Sequence, residues 1–200
     1  MSFTPVYIPV GVPTFHLESA QDQFERSIKL LRGIDESFVV PEEMLLSLDK
    51  LRAYLEGLQP DLIVFQNLTF ANAAYMSEVL RRFNCPMLLW TLREPVIDGG
   101  RLRLNSLTGA YSAANTLRAF DNRPFTYVFG APEEEQTVKA VKAAVAASRI
   151  KKEMRGLKMA AVGHTPQGFG FGRALDSELM NTFGVELEAV EARELIDEAK

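Results

Sequence analysis

The segment Pro86-Met-Leu-Leu-Trp-Thr-Leu-Arg-Glu-Pro-Val-Ile-Asp-Gly-Gly-Arg-Leu-Arg-Leu-Asn-Ser-Leu-Thr-Gly109 decides how the rest of the chain is read. Its apolar run, Met87 to Trp90, has the length and composition of a buried strand and stops at Arg93 and Glu94. Pro95 and the Gly99-Gly100 pair then impose a turn, and Asn105-Ser106 opens a helical pattern. A buried strand that ends in polar groups and leads into a helix is the repeating unit of an α/β fold. Such folds bind ligands at the carboxyl ends of their strands.

The same unit recurs on both sides of this segment. Val6 to Val12 reads as a first strand, followed by a helix over Ser19 to Arg32 with Phe24, Ile28 and Leu31 at helical spacing. Ser37 to Val40 reads as a second strand stopped by Pro41. A helix over Pro41 to Leu58 follows, with Met44, Leu45, Leu48, Leu51 and Leu55 on one face. Leu62 to Phe65 is an apolar run of the buried parallel type, followed by a helix over Ala71 to Phe83. After Met87 to Trp90 come a helix over Ser106 to Phe120, a strand over Phe125 to Phe129, and a long helix over Pro132 to Met154. That last helix is acidic at its start and basic toward its end, which suits the macrodipole. Five strand–helix units predict a flavodoxin-like, doubly wound parallel sheet in three α/β/α layers over residues 1–155. The first strand is not followed by Gly-x-Gly-x-x-Gly, which argues against a Rossmann order.

After Gly156 the pattern restarts: a strand over Leu157 to Val162, a glycine-rich loop over His164 to Gly172, a helix over Arg173 to Phe183, and a strand over Val185 to Val190. One β-α-β unit cannot cover both faces of its own sheet. Residues 156–200 therefore read as the beginning of a second α/β domain, with exposed apolar surface favouring association. The alternative is that these two strands extend the first sheet.

Composition excludes several classes of function. The chain has 200 residues, 47% of them hydrophobic and 24% charged, and a net charge of −4. Without a basic block it is a poor candidate for nucleic-acid binding. No apolar run approaches the ~18 residues of a membrane span, and no basic segment followed by an apolar one opens the chain. The expectation is a cytoplasmic protein with no nucleic-acid or membrane partner. The single cysteine, Cys85, has no base nearby in sequence and reads as a structural thiol. Neither His16 nor His164 stands in a metal-ligand spacing.

Strand ends supply the candidate site. Gln66, Asn67 and Thr69 after the third strand offer amide and hydroxyl groups suited to a polyhydroxylated ligand. Capping of the next helix is the competing use of Asn67 or Thr69. Arg93 and Glu94 suit a sugar hydroxyl or an interdomain pair, with a plain surface ion pair as the competing reading. Asn105 reads as a helix cap that can also face a ligand, and His16 lies on the same edge. The acidic run Glu133 to Glu135 reads as a solvated helix start. The loop Gly163 to Gly172 is a weak phosphate-binding candidate, because Pro166 removes one donor.

Four of these stretches resemble the L-fucose/L-arabinose isomerase family, especially its fucose isomerase-like members. They are Val10-Gly-Val-Pro-Thr-Phe15, Asp61 to Phe70 with its Gln-Asn-Leu-Thr-Phe end, Pro86 to Gly109, and Val162-Gly-His-Thr-Pro-Gln-Gly-Phe169. The resemblance implies the N-terminal portion of an aldose–ketose isomerase that uses Mn²⁺ or a similar divalent ion. It places the metal ligands and the catalytic base in parts of the family's proteins that no segment here matches. These residues would hold no cofactor or catalytic group of their own. They would help to close a sugar site in a homo-oligomer, through the loops at Phe15-His16, Gln66-Asn67 and Arg93-Glu94. A non-catalytic sugar-binding α/β module is the alternative.

Overall fold

A computed structural model describes residues 3–120 and 123–200. The chain divides into two compact units, Met1–Ser148 and Arg149–Lys200.

The first unit is built on a parallel sheet of β1 (Pro5–Val10), β2 (Leu62–Asn67), β3 (Met87–Thr91) and β4 (Thr126–Phe129), paired in that order. The strand expected over Ser37 to Val40 is reduced to one parallel bridge, Val39 to Val6, on the outer side of β1. Val39 donates its N–H to the Pro5 carbonyl and accepts from the Tyr7 N–H, both at 2.9 Å. Pro41 has no N–H with which to extend that ladder. With Val39 counted, the spatial order is second, first, third, fourth and fifth, the order of a flavodoxin-like fold.

Strand alternation divides the core into two layers. Val6, Ile8, Val10, Ile63, Phe65, Met87 and Leu89 pack on one face. They meet α2 (Leu48–Leu55), α3 (Ala73–Arg82) and α4 (Ser106–Ala119). Tyr7, Leu62, Val64, Leu88, Trp90 and Val128 pack on the other face, against α1 (Leu17–Ile34) and α5 (Glu135–Met154). Burying each large apolar side chain contributes on the order of 1.5–3 kcal/mol. The only tryptophan, Trp90, is fully buried and donates its indole N–H to the Gly130 carbonyl at 2.9 Å.

The helix expected from Pro41 begins only at Leu48. Ser47 caps it, accepting from the Lys50 N–H at 3.2 Å. The preceding residues run beside β1 instead: Leu45 donates to the Pro9 carbonyl at 3.0 Å and bridges to Val10. An extended partner for the end of β1 overrides the helical spacing of Met44 and Leu45. On the outer face of α2 and α3, Glu78 has a side chain only 9% exposed. It gathers Arg52 at 2.9 Å, Arg82 at 2.5 Å and Arg81 at 3.4 Å.

The second unit holds β5 (Lys158–Val162) and β6 (Glu186–Val190), parallel and joined through α6 (Asp176–Phe183), with α7 (Ala192–Glu198) beyond. Among the described residues β5 and β6 pair only with each other. No residue of β5, α6 or α7 is buried, and Phe171 is 85% exposed.

The register of β2 sends Gln66 into the core rather than into a loop. Fully buried, it accepts from the Tyr7 hydroxyl and donates to Ser27 Oγ at 3.0 Å, joining β2 to β1 and α1. Burial also raises the Tyr7 phenol well above its ordinary range. Gln66→Leu strands the Tyr7 hydroxyl in the core and is expected to cost about 1–3 kcal/mol in chemical denaturation. Adding Tyr7→Phe to it should recover part of that loss. Equal stability of Gln66→Leu and the parent chain would remove this bond from the core.

Candidate functional site at the carboxyl edge of the sheet

Parallel pairing brings the ends of all four strands of the first unit to one edge. The loops carrying His16, Thr69, Arg93, Glu94 and Asn105 therefore share that edge. The segment between β3 and α4 is laced across it. Its residue Leu104 accepts from the Phe70 N–H at 2.9 Å, and Arg103 accepts from the His16 N–H at 3.0 Å. Ser106, only 1% exposed, accepts from the Leu92 N–H at 2.8 Å and donates to the Asn67 carbonyl.

Glu94 organises this loop. Its carboxylate accepts three successive backbone N–H groups, from Arg103 at 3.0 Å, Leu104 at 3.1 Å and Asn105. Asn105 follows in the left-handed region, at φ 51° and ψ 33°, as the cap residue of α4. Asparagine tolerates that region better than most residues. Its Oδ1 accepts from Thr108 Oγ1 at 2.7 Å, so the side chain ties the first turn without bonding its backbone N–H groups.

Arg93 pairs with Glu134 rather than Glu94. Two parallel bonds of 3.0 Å join them, and the guanidinium lies 4.8 Å from the centre of the Phe129 ring. Glu134, expected from its acidic neighbours to be a solvated helix start, is instead held by Arg93 and the Ala131 N–H. The available signal was its place just after β4, on the same edge. His16 is exposed and caps α1, its Nδ1 accepting from the Ser19 N–H at 3.2 Å.

Three of the expected site residues belong to the framework instead. Gln66 is spent in the core, as described above. Thr69, with no exposure, accepts from the Val12 N–H at 2.9 Å and closes the first two loops on each other. Asn67 lies within β2 and is 1% exposed, with neither side-chain atom bonded to a described residue. Its amide abuts Gly109 of α4, where a Cβ would stand 2.5 Å from Nδ2. Only glycine lets helix and strand approach this closely.

Among the described residues no three His, Cys, Asp or Glu side chains gather in a way that could hold a metal ion. The Mn²⁺ implied by the sequence resemblance therefore finds no fit there. Burial, with Asp61 next, pushes the Cys85 thiol up to about 12, against a smaller opposing effect of Arg123. A thiol held so high is no nucleophile at neutral pH. His164 and Glu191 of the second unit meet at 3.0 Å on exposed loops. No helix among the described residues is long and apolar enough to cross a membrane.

The fold and this edge define a flavodoxin-like α/β protein with a polar loop cluster at the carboxyl ends of its strands. Similarity narrows the class. Over 193 residues the chain is 61% identical to a sulfoquinovose isomerase of Clostridium sp. (strain MSTE9), a match covering 96% of this chain and 43% of that protein. It is 35% identical over 198 residues to a sulfoquinovose isomerase of Priestia aryabhattai and 32% identical over 199 to one of Alkalicoccus urumqiensis. Those matches cover 98% of this chain and 44% of each relative. The chain thus spans less than half the length of the curated relatives it matches. They are sugar isomerases, as the sequence resemblance implied, but they do not carry the L-fucose/L-arabinose name. No family model matches. A solved azoreductase from Bacillus anthracis str. Sterne overlaps 74% of the chain at 12% identity and a TM-score of 0.35, too distant to bear on the fold. The strand order carries that conclusion.

Two measurements test the edge. Glu94→Ala frees three N–H groups and is expected to destabilise the chain by about 1–3 kcal/mol, with hydrogen exchange accelerating at residues 103–105. Unchanged exchange there would deny Glu94 its organising role. Glu134 is lowered to about 2, chiefly by Arg93 and then by the Ala131 N–H. Its folded value lies below the unfolded one. Its contribution is therefore complete above the ordinary carboxylate range and is lost as pH falls through about 2. Arg93→Gln should raise the Glu134 value in a carboxyl NMR titration. An unmoved titration would show that Arg93 is not the cause.

Proposed function

We propose that this chain is part of a sulfoquinovose isomerase, an enzyme interconverting the aldose and ketose forms of a hexose that bears a sulfonate. The observation that carries this reading is the 61% identity to the Clostridium sp. protein, sustained over 96% of the chain. We read the chain as the N-terminal portion of the enzyme: a flavodoxin-like domain over residues 1–155 and the opening of a second domain over 156–200. Its kinship with L-fucose and L-arabinose isomerases is part of the same proposal.

In this reading the metal, Mn²⁺ or a similar ion, and the groups that shuttle the proton between adjacent sugar carbons are supplied from outside these residues. The chain contributes the wall of the site. His16, Arg93, Glu94 and Asn105 stand at the polar edge, and Gln66, Asn67 and Thr69 fix the strand ends behind them. A homo-oligomer in the cytoplasm is the expected setting. The exposed apolar residues of the second unit, Phe169, Phe171 and Leu175 among them, support a further covering surface.

A chimera tests this directly. The matching 43% of the Clostridium sp. protein is replaced by this chain, and the product is assayed for conversion of sulfoquinovose to its ketose. Activity within about tenfold of the parent enzyme is expected, with none from the chain alone in the presence of Mn²⁺. A folded, inactive chimera would overturn the assignment. Sugar binding by the chain with no activity in the chimera would favour a non-catalytic binding module.

A further inference from the structure

The arginines of the first unit are almost all accounted for. Arg26 pairs with Asp22 and Glu133; Arg52, Arg81 and Arg82 pair with Glu78; and Arg93 pairs with Glu134. Arg123 donates to the Phe83 carbonyl. Arg32 and Arg118 lie in the last turns of α1 and α4, where a cation complements the helix dipole. Arg101 and Arg103 remain. Both lie on the loop laced across the carboxyl edge, and neither has a carboxylate partner among the described residues, in a chain whose net charge is −4.

Arg101 is nevertheless held in place. Its guanidinium lies over the Phe15 ring, 4.9 Å from the centroid, and Phe15 is itself packed against Phe70 at 6.3 Å. The ring face attracts the cation, and the guanidinium N–H donors have no hydrogen-bond partner among the described residues. Those donors match an oxyanion with two or three equivalent oxygens. Arg103 is two residues on, half-buried. Its backbone is fixed by Glu94 on one side and His16 on the other. An exposed arginine held over a ring, without a carboxylate partner among the described residues and at the carboxyl edge of an α/β sheet, is placed as an anion receptor would be.

We infer that Arg101, held over Phe15 and assisted by Arg103, binds the sulfonate of the sugar and so sets specificity for the sulfonated hexose over its uncharged counterpart. This rests on the isomerase reading for the identity of the ligand. The binding itself is tested without catalysis. The whole chain, labelled with ¹⁵N, is titrated at constant ionic strength with sulfoquinovose, methanesulfonate or glucose. Backbone amides and arginine Nε–H signals are followed. Sulfoquinovose and methanesulfonate should shift Arg101 Nε–H and the amides of residues 99–105, and glucose should not. Arg101→Gln should weaken binding at least tenfold, Arg101→Lys less, and Arg118→Gln not at all. Shifts that glucose reproduces, that survive Arg101→Gln, or that fail to appear would overturn the inference. The chimera separates the two proposals. An active chimera whose KM for sulfoquinovose is unmoved by Arg101→Gln sinks the anion site and leaves the isomerase reading standing. An inactive chimera with intact sulfonate binding does the reverse.

Discussion

Strand β2 is hydrogen-bonded on both sides in parallel register, Val10 to Asn67 on one flank and Asn67 to Thr91 on the other. That double pairing is the constraint on which everything else depends. It fixes which side chains enter each core layer, because a slip of one residue would exchange Phe65 and Gln66 between faces. It also aligns the three strand ends that carry the loops of the polar edge. The polar edge is therefore a product of the sheet: its geometry is set by apolar residues buried behind it.

Rigid support continues outward from the strands. Ser106 ties the end of β3 to β2, Thr69 ties β2 to the loop after β1, and Glu94 gathers the backbone leading into α4. A loop of this length on a protein surface would ordinarily be its most mobile part. Here its two ends are bonded to neighbouring elements, Arg93 to Glu134, Arg103 to the cap of α1, Leu104 to the loop after β2 and Ser106 to β2. The polar residues best suited to hold a sugar by composition, Gln66 and Thr69, are consumed in this support. The groups left facing outward are the longer, charged ones.

The alternation of elements was legible because buried parallel strands read as short apolar runs and the helices between them keep a clear period. What escaped the reading has local physical causes. Gln66 and Asn67 look like loop residues by composition. Central-strand pairing carries them into the sheet, where neighbours on both sides outweigh weak strand propensity. The residues from Pro41 to Leu46 have helical spacing, yet the open side of β1 captures them as an extended partner. The partner of Arg93 could not be named from sequence, because the loop after β4 that brings Glu134 near is visible only in three dimensions. Arg101 carries no mark in the sequence of its place over Phe15. A cation held over a ring has no sequence signature, since the loops after β1 and β3 that carry Phe15 and Arg101 meet only once β2 has aligned both strands.

Trp90 has a practical consequence for spectroscopy. It is the sole tryptophan, it is sealed in the core of the first unit, and all five tyrosines also precede residue 149. Beyond Ser148 the only aromatic side chains are phenylalanines, at 169, 171 and 183. Intrinsic fluorescence and near-ultraviolet dichroism will therefore follow the flavodoxin-like unit alone. Melting of Arg149–Lys200 will be nearly silent to both, and a single clean optical transition will not mean that the whole chain unfolds as one.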